Sequence, residues 1–146
     1  MNSPYLISRE RLVPGSPDAV FDLLARPAMH SLIDGSGTVR EAQPDGPARL
    51  APGARFGMDM KMGVSYKIRN TVTEFEEGRR IAWRHAGGHV WRYLLTPADG
   101  GTLVTEQWDA RKVRHRVMYR ITGVTRRHPA NLEQTLEKLA AHFSAK

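Results

Sequence analysis

The sequence predicts an α+β fold: a curved antiparallel sheet of about six to seven short strands around a long C-terminal helix, with two short helices after the first strand. The helix is read from "NLEQTLEKLAAHF" at 131–143. There Leu132, Leu136, Leu139, Ala140 and Phe143 recur at helical spacing, while Glu133, Gln134, Glu137 and Lys138 fall largely on the other side. The sheet is read from the preceding chain, a series of short segments that alternate apolar and polar residues between glycine-rich turns. One face of the helix needs an apolar partner, and the sheet supplies it.

The elements follow in order. Tyr5 to Val13 is a first strand, its alternation blurred by Arg9, Glu10 and Arg11. Ser16, Pro17 and Asp18 start a helix: the hydroxyl can cap free N–H groups, proline suits the first turn, and the carboxylate complements the dipole. Val20, Phe21, Leu23 and Leu24 form its apolar side, Pro27 ends it, and a second helical turn runs from Met29 to Ile33. "DGSG" at 34–37 is a turn, followed by a strand over Thr38–Ala42 and a loop from Gln43 to Gly53. Phe56, Met58, Met60 and Met62 then alternate, as do Tyr66, Ile68, Asn70 and Val72. Turns at Glu76–Gly78, Gly87–Gly88 and Asp99–Gly101 separate strands carrying Ile81, Trp83 and His85, then Trp91, Tyr93 and Leu95, then Val104, Glu106 and Trp108. Val113, Val117, Ile121 and Val124 have helical spacing, and Gly123 and Pro129 are expected to separate that short helix or helical loop from the terminal one.

A chain of 146 residues fits a single domain, 1–146, and its 25% charged and 40% apolar residues suit a folded protein. No run approaches the roughly 18 apolar residues of a membrane span. Arg9, Glu10 and Arg11 stand where a signal peptide would need its apolar stretch, so the expected location is cytoplasmic. With no cysteine, disulfides, thiolate chemistry and Cys-type zinc sites are excluded. The net charge of +7 is local: residues 111–128 carry seven Lys and Arg and no carboxylate, and the other fifteen basic residues match the fifteen acidic ones. An electrostatic partner is therefore expected at 111–128.

Four stretches, "SPDAVFDLLARP" at 16–27, "VTEFEEGRRIAWRH" at 72–85, "GGTLVTEQWD" at 100–109 and "LEQTLEKLAAHF" at 132–143, together with the element order, resemble the START/Bet v 1-like (SRPBCC) superfamily. Within it the chain is most similar to the polyketide cyclase/dehydrase-like branch. The resemblance implies a helix-grip fold, a curved sheet wrapped around the C-terminal helix and enclosing an apolar cavity. Members include carriers and sensors of hydrophobic small molecules, and some that cyclise or dehydrate polyketide intermediates. None of the matching stretches is a catalytic signature, so the chemistry stays open.

Strand phase places Met58, Met60, Tyr66, Trp83, Trp91, Tyr93 and Trp108 toward the terminal helix, whose Leu136, Leu139, Ala140 and Phe143 complete the candidate ligand-binding set. An ordinary filled core is the alternative use of the same residues. Glu106 and His85 are the candidate acid/base groups, since a carboxyl among aromatics acquires a raised pKa suited to proton transfer. Arg69 and Asn70 compete as a polar anchor, because neighbours on one strand point to opposite faces. No metal is expected: the six histidines include no helical i, i+4 pair with a Glu between. Ser36 lacks a nucleophile-elbow context, and "GSG" is too short for a phosphate loop. No cofactor is expected.

Three functions follow from these readings. The first is binding of a hydrophobic, lipid-like or polyketide-like molecule, by a monomer or homodimer. The second is cyclase, aromatase or dehydratase chemistry through Glu106 or His85. The third is attachment to nucleic acid or an anionic membrane surface through 111–128, against which stands a plain solvated helix over the cavity mouth.

Overall fold

A computed structural model describes residues 3–35, 39–42, 46–62 and 64–144. Ser36, Gly37, Thr38, loop residues 43–45 and the Met62 side chain, all named above, lie outside the described part. The first strand, β1, spans Leu6–Val13 and turns Ile7 and Val13 inward. It continues through the charged run because Arg9 stays half-buried and pairs with Glu133 at 3.1 Å, so its stem covers apolar surface while its head meets a carboxylate. Helix α1 (Pro17–Leu24) begins as its sequence dictates, with the Ala19 N–H donating to the Ser16 hydroxyl at 3.2 Å, and it buries Val20, Phe21, Leu23 and Leu24. A 3-10 turn at Pro27–Met29 runs into the single turn α2 (His30–Ile33).

Six further strands follow: β2 (Val39–Ala42), β3 (Arg55–Met62), β4 (Val64–Glu76), β5 (Arg80–His85), β6 (Val90–Ala98) and β7 (Gly101–Asp109). With β1 they form one antiparallel sheet in the order β1-β7-β6-β5-β4-β3-β2. The first strand thus closes on the last, and the two early helices span the gap between β1 and β2. The basic segment forms the short helix α3 (Val117–Ile121), and helix α4 (Val124–Ser144) follows.

The terminal helix therefore starts seven residues before the expected Asn131, and Pro129 lies inside it as its sixth residue. Gly123 alone makes the break: it adopts φ +82°, a conformation glycine reaches without a Cβ penalty, and its carbonyl accepts the N–H groups of Arg126 and Arg127. Proline's fixed φ suits a helix, and so near the start its missing N–H removes one ladder bond without stopping the turn.

The core divides along α4. Leu136, Leu139 and Ala140 pack with Val13, Phe21, Leu24, Ile81 and Val104 in the larger cluster, and Phe143 lies against it. Leu132 instead belongs to a second cluster with Ile7, Trp108, Ala110 and Val113. Two close approaches seat this helix. A Cβ on Gly35 would strike the Asn131 carbonyl oxygen and lie 2.7 Å from the Thr135 nitrogen, and a Cβ on Gly15 would lie 2.7 Å from the Phe143 ring. The Gly35 N–H also donates to the Thr135 hydroxyl at 2.8 Å, and Lys138 donates to the Asp34 carbonyl at 2.9 Å.

Leu136, Leu139, Ala140 and Phe143, expected as pocket wall, are thus core residues, because the sheet beneath that half of α4 is already filled by α1. Phe at Ala140 is expected to overpack this region and lower stability by about 1–3 kcal/mol in denaturant unfolding. A variant as stable as the parent would place open space beside Ala140.

Candidate functional site

Between the N-terminal half of α4 and the concave face of β3–β7 lies a cavity of about 540 Å³. Its sheet wall follows from alternation. Phe56, Met58 and Met60 come from β3, Tyr66, Ile68 and Asn70 from β4, Trp83 and His85 from β5, Trp91 and Tyr93 from β6, and Glu106 and Trp108 from β7. The cavity thus brings together the seven expected residues Met58, Met60, Tyr66, Trp83, Trp91, Tyr93 and Trp108, with both acid/base candidates in the same wall. Its helical wall is Val124, Arg127, His128, Asn131, Leu132 and Thr135, one to three turns before the stretch expected from sequence. Val39 of β2, His89 before β6, Tyr119 of α3, and His30, Ile33 and Asp34 in and just after α2 complete it. The anchor question resolves by phase: Asn70 is 6% exposed and lines the cavity, whereas Arg69 faces outward.

The aromatic wall is continuous. His30 stacks on Trp83 at 4.8 Å and meets Phe56 edge-on at 5.7 Å, and its Nε2–H donates to the Leu24 carbonyl at 2.8 Å. That bond ties α2 to the end of α1 and assigns the proton to Nε2. At the opposite end, His85 stacks on His89 at 4.2 Å, and His89 Nδ1 bonds the Tyr119 hydroxyl at 3.1 Å, pinning α3 to the sheet. Trp108 meets His128 at 4.7 Å and Tyr119 edge-on at 5.2 Å.

Glu106 is the chemical centre. It is 3% exposed, and its Oε2 accepts the Tyr93 hydroxyl at 2.7 Å. Burial raises its pKa to about 8; the Tyr93 hydrogen bond partly offsets this and the negative charge of Asp34 adds to it. The carboxyl is therefore largely protonated at neutral pH, an acid beside a phenol whose own pKa burial and Glu106 push upward. Among the described residues, the buried wall atoms Glu106 Oε1, Trp108 Nε1 and His128 Nδ1 have no hydrogen-bond partner. His85 differs from Glu106: it is half-buried at the rim, its Nδ1 accepts the Gly87 N–H at 2.8 Å, and burial lowers its pKa. The ring proton therefore sits on Nε2.

Three further histidines of the cavity wall are held neutral. His30 falls to about 4 through burial, opposed by its bond to Leu24. His89 falls to about 3 through burial and the neighbouring His85 and His128, and His128 to about 4 through burial and Arg127. The sequence offered no sign that His30, His89 and His128 belong to one wall, since they come from α2, the β5–β6 turn and α4. Among the described residues no group of three His, Cys, Asp or Glu side chains is placed to hold a metal.

The basic segment is dispersed in space. Arg111 pairs with Asp109 at 2.9 Å, Arg116 lies 5.4 Å over the Tyr5 ring, and Arg127 reaches the cavity wall. On α3, Val117, Met118 and Ile121 are exposed on its outer side. Among the described residues no helix is long and apolar enough to cross a membrane.

Residues 6–144 match a protein family described as polyketide cyclase / dehydrase and lipid transport. Over 97% of its length the chain is 34% identical to the uncharacterized protein Rv0088 of Mycobacterium tuberculosis, and it spans 65% of that protein. A crystal structure of a Rhodobacter sphaeroides protein superposes with TM-score 0.74 at 14% identity, covering 99% of this chain and 95% of that one. The solution structure of the Aha1 dimer from Colwellia psychrerythraea gives TM-score 0.63 at 13% identity over 94% of this chain and 95% of that one. Identities this low show a shared fold alone.

The opposed pKa shifts give stability two flanks. For the histidines the folded value lies below the ordinary 6.5, so their contribution is present above that pH and is lost as pH falls toward about 4. For Glu106 the folded value lies above 4.5, so its contribution is present below that pH and is lost as pH rises through about 8. Melting temperature against pH is expected to fall on both sides, and Glu106→Gln to flatten the alkaline side alone. An unchanged alkaline slope in that variant would mean the folded carboxyl is already ionised.

Proposed function

Because the chain belongs to the polyketide cyclase / dehydrase and lipid transport family, within the START/Bet v 1-like (SRPBCC) superfamily, we propose that it binds a hydrophobic small molecule in the cavity between sheet and α4. One observation carries this reading. A space of about 540 Å³ is walled by three tryptophans, three tyrosines, two methionines and a phenylalanine, and its lining residues Glu106, Trp108 and His128 each carry a buried polar atom with no hydrogen-bond partner among the described residues. A filled core of this composition would be close-packed, and an isolated buried polar group costs roughly 1–3 kcal/mol. A ligand with an apolar body and an oxygen-bearing group relieves both. The Trp108 indole N–H can only donate, so it calls for a ligand acceptor such as a carbonyl or hydroxyl oxygen. The neutral Glu106 carboxyl can donate to the same kind of group.

A second reading, catalysis of cyclisation or dehydration on a polyketide-like intermediate, is favoured by Glu106 itself. A carboxylic acid kept protonated in an apolar cavity, its other oxygen held by Tyr93, is a proton donor matched to neutral pH. His85, its Nδ1 engaged by the turn at Gly87, presents only Nε2–H toward a substrate.

The protein's three tryptophans all line the cavity, so intrinsic emission reports on its contents. Titration with an apolar probe such as 1-anilinonaphthalene-8-sulfonate or a long-chain ketone is expected to change tryptophan emission saturably and to raise the melting temperature. No saturable change across a panel of ketones, alcohols and aromatic polyketides would sink the binding reading. Glu106→Leu, which removes the donor, is expected to weaken a keto ligand by about tenfold, the value of one charge-free hydrogen bond, whereas Glu106→Gln, whose amide N–H still donates, is expected to retain it. If a polyketide substrate is turned over, the Gln variant is expected to lose turnover with binding retained; turnover at the parent rate would exclude Glu106 as the acid.

A further inference from the structure

The register of β3, β4 and β5 assembles a second hollow that the charge count along the sequence does not reveal. Thr71 of β4 stands opposite Arg55 of β3 on one side and Arg84 of β5 on the other. Arg69 lies two residues back on β4, so strand alternation puts all three guanidinium side chains on the outer face, opposite to Asn70 and His85. They line a hollow of about 530 Å³, closed at one end by the turn Ala86–Gly88. Among the described residues no carboxylate belongs to its wall. Among the described residues neither Arg55 nor Arg84 forms a salt bridge. Arg55 and Arg84 flank Thr71 from the two neighbouring strands, so an anion lodged over Thr71 is attracted from both sides.

This hollow adjoins the cavity. Asn70 and His85 line both. At their pairing β5 ends, with only the Ala86 N–H to Arg69 carbonyl bond beyond it, while residues 64–69 of β4 pair with β3 alone. The sheet wall between inside and outside is therefore at its narrowest there, one strand bounded by a glycine turn.

We propose that the hollow of Arg55, Arg69 and Arg84 binds an anionic group, phosphate or carboxylate, carried by the ligand whose apolar body fills the cavity, a reading that rests on the binding function above. The ligand class is then an amphiphile: an apolar chain or ring system ending in an anion that emerges past His85 and Asn70. Guanidinium forks suit both anions through paired N–H donors, and the surface position makes the attraction salt-sensitive.

The test compares dodecyl phosphate, dodecanoate, dodecanol and inorganic phosphate, read by tryptophan emission and calorimetry at low and high salt. In the parent protein dodecyl phosphate or dodecanoate is expected to bind about tenfold tighter than dodecanol, with the advantage shrinking as salt rises. In the double variant Arg55→Gln/Arg84→Gln the advantage should vanish while dodecanol affinity and melting temperature are unchanged. Arg55→Lys/Arg84→Lys, which keeps charge without the fork, should retain part of it. Equal affinity for anionic and neutral probes in the parent, or a preference that survives the Gln variant, overturns the proposal while leaving cavity binding intact. If inorganic phosphate binds but no alkyl probe does, the cavity reading fails and the hollow is a free-anion site only, which also overturns it. If every alkyl probe weakens equally in the Gln variant, the arginines are structural and the proposal is wrong.

Discussion

Everything in this molecule depends on how the C-terminal half of α4 is seated on the sheet. Leu136, Leu139 and Ala140 meet Phe21, Leu24 and Val104 in a dry cluster, and Gly15 and Gly35 let the helix approach neighbouring backbone that any side chain would hold away. With that half fixed, the N-terminal half is held out over the concave face like a beam over an arch. The gap beneath it persists because the supports at either end, the α1 side and the Leu132–Trp108 cluster, are already close-packed and cannot collapse inward. A cavity in a protein ordinarily costs stability through lost contacts. Here that cost is confined to one region, rimmed on both sides by complete packing.

The same confinement sets the electrostatics. Burial works against every charge inside, so its two kinds of titratable group respond oppositely: the acid Glu106 holds its proton, and the bases His30, His89 and His128 release theirs. At neutral pH all four are predominantly uncharged. The site can therefore exchange hydrogen bonds with a polar group without bringing a permanent charge into an apolar space. The cations sit where water shares the burden of solvating them: Arg127 is exposed near the start of α4, and Arg55, Arg69 and Arg84 lie on the outer face of the sheet.

Much of this was legible in the residues. Period-two alternation is a local signal, so the strands and their inward residues, from Met58 to Trp108, could be read directly, and Glu106 stood out because it interrupts Val104 and Trp108 on an otherwise apolar face. The Ser16–Pro17–Asp18 start of α1 was equally plain. What failed was whatever depends on what lies opposite. The apolar stripe of α4 looks uniform from Leu132 to Phe143, yet whether it meets packed side chains or open space is decided by α1, far away in the chain. Pro129 was read as a stop when its position within the helix makes it tolerable. The arginine hollow was invisible because its members are separated by 14 and 15 residues in sequence and meet only through strand register, while carboxylates elsewhere cancel them in any charge count.

The division of α4 at Leu132 has a consequence for how such a protein changes over time. The turns from Val124 to Asn131 touch the cavity, and those from Leu136 onward touch the core, so the two stretches of one helix answer to different selection. Substitutions in the first can reshape the chamber without loosening the scaffold, and a lineage can drift from one guest to another along a path of equally foldable intermediates. A helix that met the chamber along its whole length would offer no such path, since each change of guest would also be a change of core.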